Sequence, residues 1–341
     1  MNKIIKKLRK DGINMEENPT ELSRVNRQKN KQKKRKWPKV LLSILLLLAA
    51  IFTYGYLRVR KTTDTIHTDL SDEEFMKESH ASRDKGDVKL TDKEAFSVLL
   101  MGIDTGDKGR EDRGRSDTMM VMTVNPKNKK TTILSIPRDT RTEIIGKGID
   151  DKINHAYAFG GPTMSMNTVQ NLLDIPIDYF VSVNMKGIQQ IVDAVGGVTV
   201  NPEISFSQDG YSFTEGQSQK IDGAAALAYS RMRKQDPEGD YGRQARQREL
   251  VLAILDRASS FESILNFESV LKTMENNVQT NLRFNDMMTI SVNYLSALSN
   301  VEQIQMEGEG TKINGIYYAI ISEEEKSKIS NELKKELEIT D

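Results

Sequence analysis

Apolar and polar positions divide this chain into stretches of three kinds. Val40 to Leu57, "VLLSILLLLAAIFTYGYL", runs eighteen residues without a charge. As a helix it would extend about 27 Å at 1.5 Å per residue, close to the ~30 Å of a bilayer core. Trp37, Tyr54 and Tyr56 sit near its ends, where aromatic side chains favour a membrane interface. Residues 58–95 are polar, acidic and short of aromatics, and are expected to form a stalk, partly helical around Asp72 to Glu78, with little to pack a core. From Phe96 the pattern changes again. "FSVLLMGID", "DTMMVMTVNP" and "TTILSIPRD" are apolar runs of strand length closed by Gly, Asn-Pro and Pro-Arg.

The rest of the chain alternates. Pro162 to Leu173 has helical spacing, "DYFVSVN" reads as a strand, "MKGIQQIVDAVGG" as a helix ended by glycine, and "VTV" as a strand. Beyond Phe261 come two or three helices and the strands "VEQIQM" and "INGIYYAII". A charged helix, "SEEEKSKISNELKKELE", follows, with Ser322 as N-cap. This order predicts an α/β domain whose mixed central sheet is covered by helices on both faces, preceded by one transmembrane helix. The expected divisions are a basic tail (1–39), an anchor (40–57), a stalk (58–95) and a folded domain (96–338).

Charge orients that arrangement. The formal net charge is zero, which gives no whole-chain case for a nucleic-acid partner. Residues 1–39 nevertheless carry fourteen Lys/Arg against four Asp/Glu. Eight Lys/Arg lie between Arg27 and Lys39, against three in Arg58 to Lys61. The positive-inside rule then places the N-terminus in the cytoplasm and everything after residue 58 outside, as a single-pass type II membrane protein. A cleavable signal peptide would have a shorter apolar region and small residues where "RVRK" stands. The chain has no cysteine, which excludes disulfides, thiolate metal sites and a cysteine nucleophile.

Histidine chemistry is equally thin, since His67, His80 and His155 lack zinc-ligand spacing. "GDKGREDRGRSD" lacks the Gly-Lys-Ser/Thr ending of a phosphate loop, and "GEGTKINGI" reads as a loop. Carboxylates and arginines remain. Asp104 ends the first apolar strand and Asp117 opens the second. If those strands pair as a hairpin, both acids reach one end of the sheet, where ligands bind in α/β folds. They suit Mg²⁺, a hard ion that also takes phosphate oxygens; the alternative is a turn cap and an ion pair with a loop arginine. "SIPRDTR" places Arg138 and Arg141 beyond the third strand, with a surface Arg138–Asp139 pair as the plainer alternative.

Tyr229 to Leu250 concentrates five arginines and one lysine. With Arg243 set at 0° on a helix, Arg246 falls at about 300°, Gln247 at about 40°, Leu250 at about 340° and Ile254 at about 20°. Arg243, Arg246 and Gln247 thus share a face with core leucines, in a first turn where the helix dipole favours anions. Arg248, at about 140°, is expected in solvent, as is Lys234. Arg231 and Arg233 project to one side if extended, and "KQDPEGDYG" turns the chain back so that both arginine pairs face one pocket. Arginine grips phosphate bidentately, which favours a built anion site over a nucleic-acid patch.

"GRSDTMMVMTVNP", "SIPRDTR", "KINHAYAFGGP" and "ALAYSRMRKQDPEGDYGRQARQRE" resemble the LytR-CpsA-Psr proteins of Gram-positive bacteria, over the tail, the anchor and essentially all of 96–338. The resemblance implies an α/β/α domain holding a polyprenyl pyrophosphate, with the lipid in an apolar channel and the pyrophosphate among arginines and Mg²⁺ at its mouth. It implies metal binding by Asp104 and Asp117. Pyrophosphate contacts follow from Arg115, Arg138, Arg141, Arg231, Arg233, Arg243, Arg246 and Gln247. Among these, Arg138, Arg231, Arg233 and Arg243 are the expected catalytic groups, with Asp139 a candidate proton acceptor. The implied reaction moves an anionic glycopolymer, wall teichoic acid foremost, from its polyprenyl pyrophosphate carrier to a muramic acid hydroxyl of peptidoglycan at the cytoplasmic membrane. Two other classes stand beside it. One is a polyprenyl-pyrophosphate hydrolase using the same site. The other is a membrane-anchored transcriptional regulator, for which 39 polar residues are too few to build a DNA-binding domain.

Overall fold

The computed structural model describes residues 37–70, 88–105, 114–258 and 267–339. The chain divides into two compact units at Leu57/Arg58. The first contributes the start of helix α1 (Trp37–Ile66), on which Leu47, Leu48, Ile51, Phe52 and Leu57 are exposed. Among the described residues no helix is long and apolar enough to cross a membrane. The expected anchor at 40–57 begins with residues whose side chains lie outside the described set, and most of the expected basic tail lies outside it altogether.

The second unit is built on strands β1 (Phe96–Ile103), β2 (Ser116–Asn125) and β3 (Lys130–Ser135), which form an antiparallel meander. A hairpin of β4 (Arg141–Ile144) and β5 (Ile149–Lys152) follows, then helix α2 (His155–Leu173), strand β6 (Tyr179–Asn184) and helix α3 (Met185–Ala194). Four short strands come next: β7 (Val198–Val200), β8 (Phe206–Gln208), β9 (Tyr211–Phe213) and β10 (Gln219–Ile221). Helices α4 (Gly223–Arg231), α5 (Asp240–Ala258) and α6 (Phe267–Asn277) precede strand β11 (Val278–Thr280) and helix α7 (Phe284–Asn293). After a 3₁₀ turn at Leu295–Ser299, the chain closes with β12 (Val301–Gln305), the hairpin β13 (Glu309–Ile313) and β14 (Ile316–Ile320), and helix α8 (Glu323–Glu336).

The main sheet runs β11-β6-β1-β2-β3-β12, with β6 parallel to β1 and β12 parallel to β3. It is mixed, as expected. On one face Leu99, Val121, Leu134 and Phe180 pack against Val169 and Leu173 of α2 and Ile329 and Leu333 of α8. The opposite face presents Phe96, Val98, Leu100, Met120, Met122, Val181 and Val183 toward Ile188 of α3, Leu250 and Ile254 of α5 and Ile290 of α7. That second layer does not close. It leaves an apolar cavity of about 1010 Å³ between sheet and helices.

Local sequence explains the element ends. Asn184 caps α3 by accepting from the Gly187 N–H at 2.7 Å, and Ser322 caps α8 by accepting from the Glu325 N–H at 3.1 Å. Helix α2 starts seven residues before the expected Pro162, because Gly160 and Gly161 break it into two segments and Pro162 opens the second. The "GEGTKINGI" stretch is not a loop. It is half of the β13–β14 hairpin, turned by Asn314 and Gly315, both at positive φ.

Two other expectations are corrected. The first part of the stalk is packed: Thr62, Thr63 and Ile66 are each 2% exposed, and Arg58 pairs with Glu275 and Glu268 of α6. Arg248 is not in solvent. Its guanidinium donates to Ser135 Oγ at 2.7 Å, Gln305 Oε1 at 2.7 Å and Gln303 Oε1 at 3.1 Å, fastening α5 to β3 and β12. The far side of α5 meets the polar end of the sheet instead of water, and burial lowers the Arg248 pKa. Replacing Arg248 by Ala takes the donor from the buried Ser135 hydroxyl and the half-buried Gln305 amide oxygen and empties the space the guanidinium fills, and should cost about 3 kcal/mol of unfolding free energy in urea denaturation.

Candidate active site

The site is made where β1 turns into β2. Gly102 pairs with Thr118 but Ile103 pairs with Ser116, so Asp117 is the extra residue of a bulge. A bulge re-aims a side chain, and here both Asp117 and Asp104 line the cavity mouth. Asp104 Oδ1 accepts from the Arg115 N–H at 2.6 Å. Gly114, at φ +66°, permits that closeness, because a Cβ there would lie 2.6 Å from the same oxygen.

Asp117 is held from two sides. Arg138 Nη1 donates to its Oδ2 at 2.7 Å, and Asn154 Nδ2 donates to its Oδ1 at 3.1 Å. Arg138 reaches it from just beyond β3, where Pro137 ends the sheet. From the other wall, the first turn of α5 delivers Arg243, 8% exposed, and the next turn Gln247; the end of α4 delivers Ser230 and Arg231. The two helices are tied together by Tyr229, whose hydroxyl donates to Glu249 at 2.6 Å. Burial, reinforced by that carboxylate, pushes the Tyr229 phenol pKa well above its ordinary range.

The electrostatics are unbalanced. Burial lowers the Arg243 pKa; Asp240, 2.7 Å from its Nη2, and Asp117 oppose that, while Arg138 adds repulsion. Arg138 Nε and Arg243 Nε are both buried without a hydrogen-bond partner, as is Gln247 Oε1, although Asp139 Oδ2 lies 3.8 Å from Arg138 Nε as the expected Arg138–Asp139 ion pair. Unpaired guanidinium N–H groups are costly in a protein interior, and an anion bearing several oxygens would satisfy them.

Other expected site residues lie elsewhere. Arg246 is 7% exposed but turns from the cavity to bind Met232 O and Asp236 and to cover the Phe206 ring. It fastens the connecting turn. Arg141 pairs with Asp150 across the β4–β5 hairpin, and Asp139 with Lys152 at 2.7 Å; neither lines the cavity. Arg233 is not extended beside Arg231, which ends α4; it stands half exposed, 3.7 Å from Asp240. The Arg115 side chain is exposed. Asn154, Ser230 and Asp240 escaped the sequence reading. Only Asn154, in "KINHAY" just before a helix, carried a local signal.

Asp104 and Asp117 provide two hard carboxylates beside the unpaired N–H groups, and among the described residues no group of three or more metal-ligating side chains occurs. That donor set fits Mg²⁺, which is commonly held by one or two carboxylates together with substrate phosphates.

A family profile described as the LytR_cpsA_psr family matches residues 53–335. Over 311 residues the chain is 47% identical to the polyisoprenyl-teichoic acid–peptidoglycan teichoic acid transferase TagU of Bacillus subtilis (strain 168), covering 91% of this chain and 99% of that protein. The crystal structure of B. subtilis TagU matches with a TM-score of 0.60 at 48% identity, covering 73% of this chain and 99% of that one. A solved structure of TagT bound to LI-WTA matches with a TM-score of 0.65 at 30% identity, covering 80% and 100%.

The buried arginines separate by role, and stability measurements should show it. Arg246→Met strands the Asp236 carboxylate and should cost about 3–5 kcal/mol. Arg243→Met also takes the cation from Asp240, but it removes a charge that burial and Arg138 disfavour, and should cost less unfolding free energy than Arg246→Met.

Proposed function

The chain belongs to the LytR-CpsA-Psr family, and from that premise we propose that it transfers an anionic wall glycopolymer, teichoic acid foremost, from a polyprenyl pyrophosphate to peptidoglycan. The observation that carries this reading is the buried guanidinium of Arg243, its Nε without a hydrogen-bond partner, at the mouth of a largely apolar cavity, with Arg138 held beside it on Asp117. Such a cavity takes an isoprenoid tail, and its mouth takes a diphosphate. The names of its relatives support the donor and the acceptor.

In the proposed reaction a muramic acid hydroxyl of peptidoglycan attacks the phosphorus nearer the glycopolymer. The bond from that phosphorus to the bridging oxygen breaks, polyprenyl phosphate leaves with the electron pair, and the hydroxyl proton passes to the departing phosphate or to solvent. Arg138, Arg231 and Arg243 bind the diphosphate oxygens and offset the charge that grows on them in the transition state. Gln247 orients the same group from α5. Asp104 and Asp117 would hold Mg²⁺, which supplies further neutralisation of the phosphates when bound. Asn154 keeps Asp117 aimed at the cavity.

The apolar run at 40–57, with its basic flank, anchors the protein in the cytoplasmic membrane with the catalytic unit outside the cell, where peptidoglycan lies.

Arg138→Ala and Arg243→Ala should each lower transfer of a defined lipid-linked glycopolymer to a peptidoglycan oligomer by about 10²–10³. Product analysis with and without the oligomer checks the class. Linked product that requires the oligomer supports the transferase; free glycopolymer phosphate formed at the same rate without it would make the protein a hydrolase.

A further inference from the structure

Helix α7 and the 3₁₀ turn after it present an unusual surface. Met287 to Asn300 contains no charged residue. Met288, Val292 and Leu295, spaced i, i+4, i+7, are 43%, 74% and 62% exposed, and Leu298 continues the stripe at 39%. Ile290, on the opposite side of the same helix, lines the cavity together with Leu282. A helix that is apolar toward both a cavity and the outside is not designed for water on its outer face.

The path of the chain says what covers that face. Arg58, where the chain enters this unit, pairs with Glu268 and Glu275 of α6. The following residues run along β11 and α7: Thr63 Oγ1 donates to Met287 Sδ at 3.7 Å, and the Thr68 N–H donates to Thr280 O at 2.8 Å. The eighteen-residue apolar run ends at Leu57, one residue before Arg58. A bilayer that holds the run therefore has its outer surface within a residue or two of Arg58, five residues before Thr63 meets Met287 of α7.

We propose that the Met288–Leu298 face is a membrane-docking surface, inserted among the lipids of the outer leaflet, through which a lipid-borne isoprenoid chain passes into the cavity behind Ile290. The inference rests on the anchored, lipid-carrier reading above. Docking keeps the cavity at the bilayer surface, so the long apolar tail crosses from acyl chains to Ile290 and Leu282 without entering water.

The absence of cysteine makes the test direct. The full-length chain, reconstituted in phosphatidylglycerol–phosphatidylethanolamine vesicles, carries a single polarity-sensitive fluorophore at Leu48→Cys, Val292→Cys or Ile316→Cys, the last on the β13–β14 hairpin. Brominated acyl chains should quench the probes at 48 and 292 and spare 316. Quenching at 48 alone leaves the anchor standing and overturns the docking surface. Quenching at none of the three overturns the anchor and the proposal with it, and equal quenching at 292 and 316 overturns the assignment to α7. A probe at 292 that responds to protein concentration and not to bromolipid overturns the proposal and gives the face to a second copy. As an independent readout, the double variant Val292→Asn/Leu295→Asn should lower transfer from a long-chain donor in vesicles by about tenfold. Transfer from a short-chain, water-soluble donor should be unchanged; an equal loss with both donors overturns the proposal.

Discussion

Arg243 is positively charged, almost fully buried, and placed where another arginine repels it. Asp240 and Asp117 offset part of that cost, and burial still lowers its pKa on balance. Much of the architecture serves this arrangement. The bulge in β2 aims Asp117, Asn154 steadies it, and Arg138 is drawn in from the end of β3. Arg246 and Arg248 spend their hydrogen bonds on fixing the turn before α5 and on fixing α5 to the sheet. Three neighbouring arginines on one helix thus have three tasks, and only the first is left facing the cavity.

The cavity beneath has the opposite chemistry. Its floor is the methionine-, valine- and leucine-rich face of β1, β2 and β6, and its roof is α3, α5 and α7. A well-packed domain would close such a space, since an empty apolar volume forfeits dispersion contacts. A roof held apart over an apolar floor, with cations grouped at one end, is complementary to an amphiphile with a charged head and a long tail.

The central strands were legible because β1 and β2 are buried on both faces and so appear as unbroken apolar runs. Asp104 and Asp117 followed from strand ends, and Arg243 and Gln247 from the helical repeat that also carries Leu250. That repeat fails for Arg246 and Arg248 for a physical reason. It tells which side of a helix is apolar, but α5 is packed on several sides, and only the tertiary structure shows whether an arginine meets a ligand, a carbonyl or the polar end of a sheet. Asn154, Ser230 and Asp240 act through residues distant in sequence, or sit at helix ends with no pattern of their own. The β13–β14 hairpin had a readable Asn-Gly turn, obscured by the glycines before it.

The central claim is that the buried cations are matched to a diphosphate head on an isoprenoid tail. Calorimetric titration of the protein with a short-chain isoprenyl pyrophosphate, the corresponding monophosphate and the alcohol tests it most directly. Affinity should fall in that order, and the preference for pyrophosphate over monophosphate should vanish in Arg243→Met. Equal affinity for the three ligands, or an undiminished preference in that variant, would contradict it.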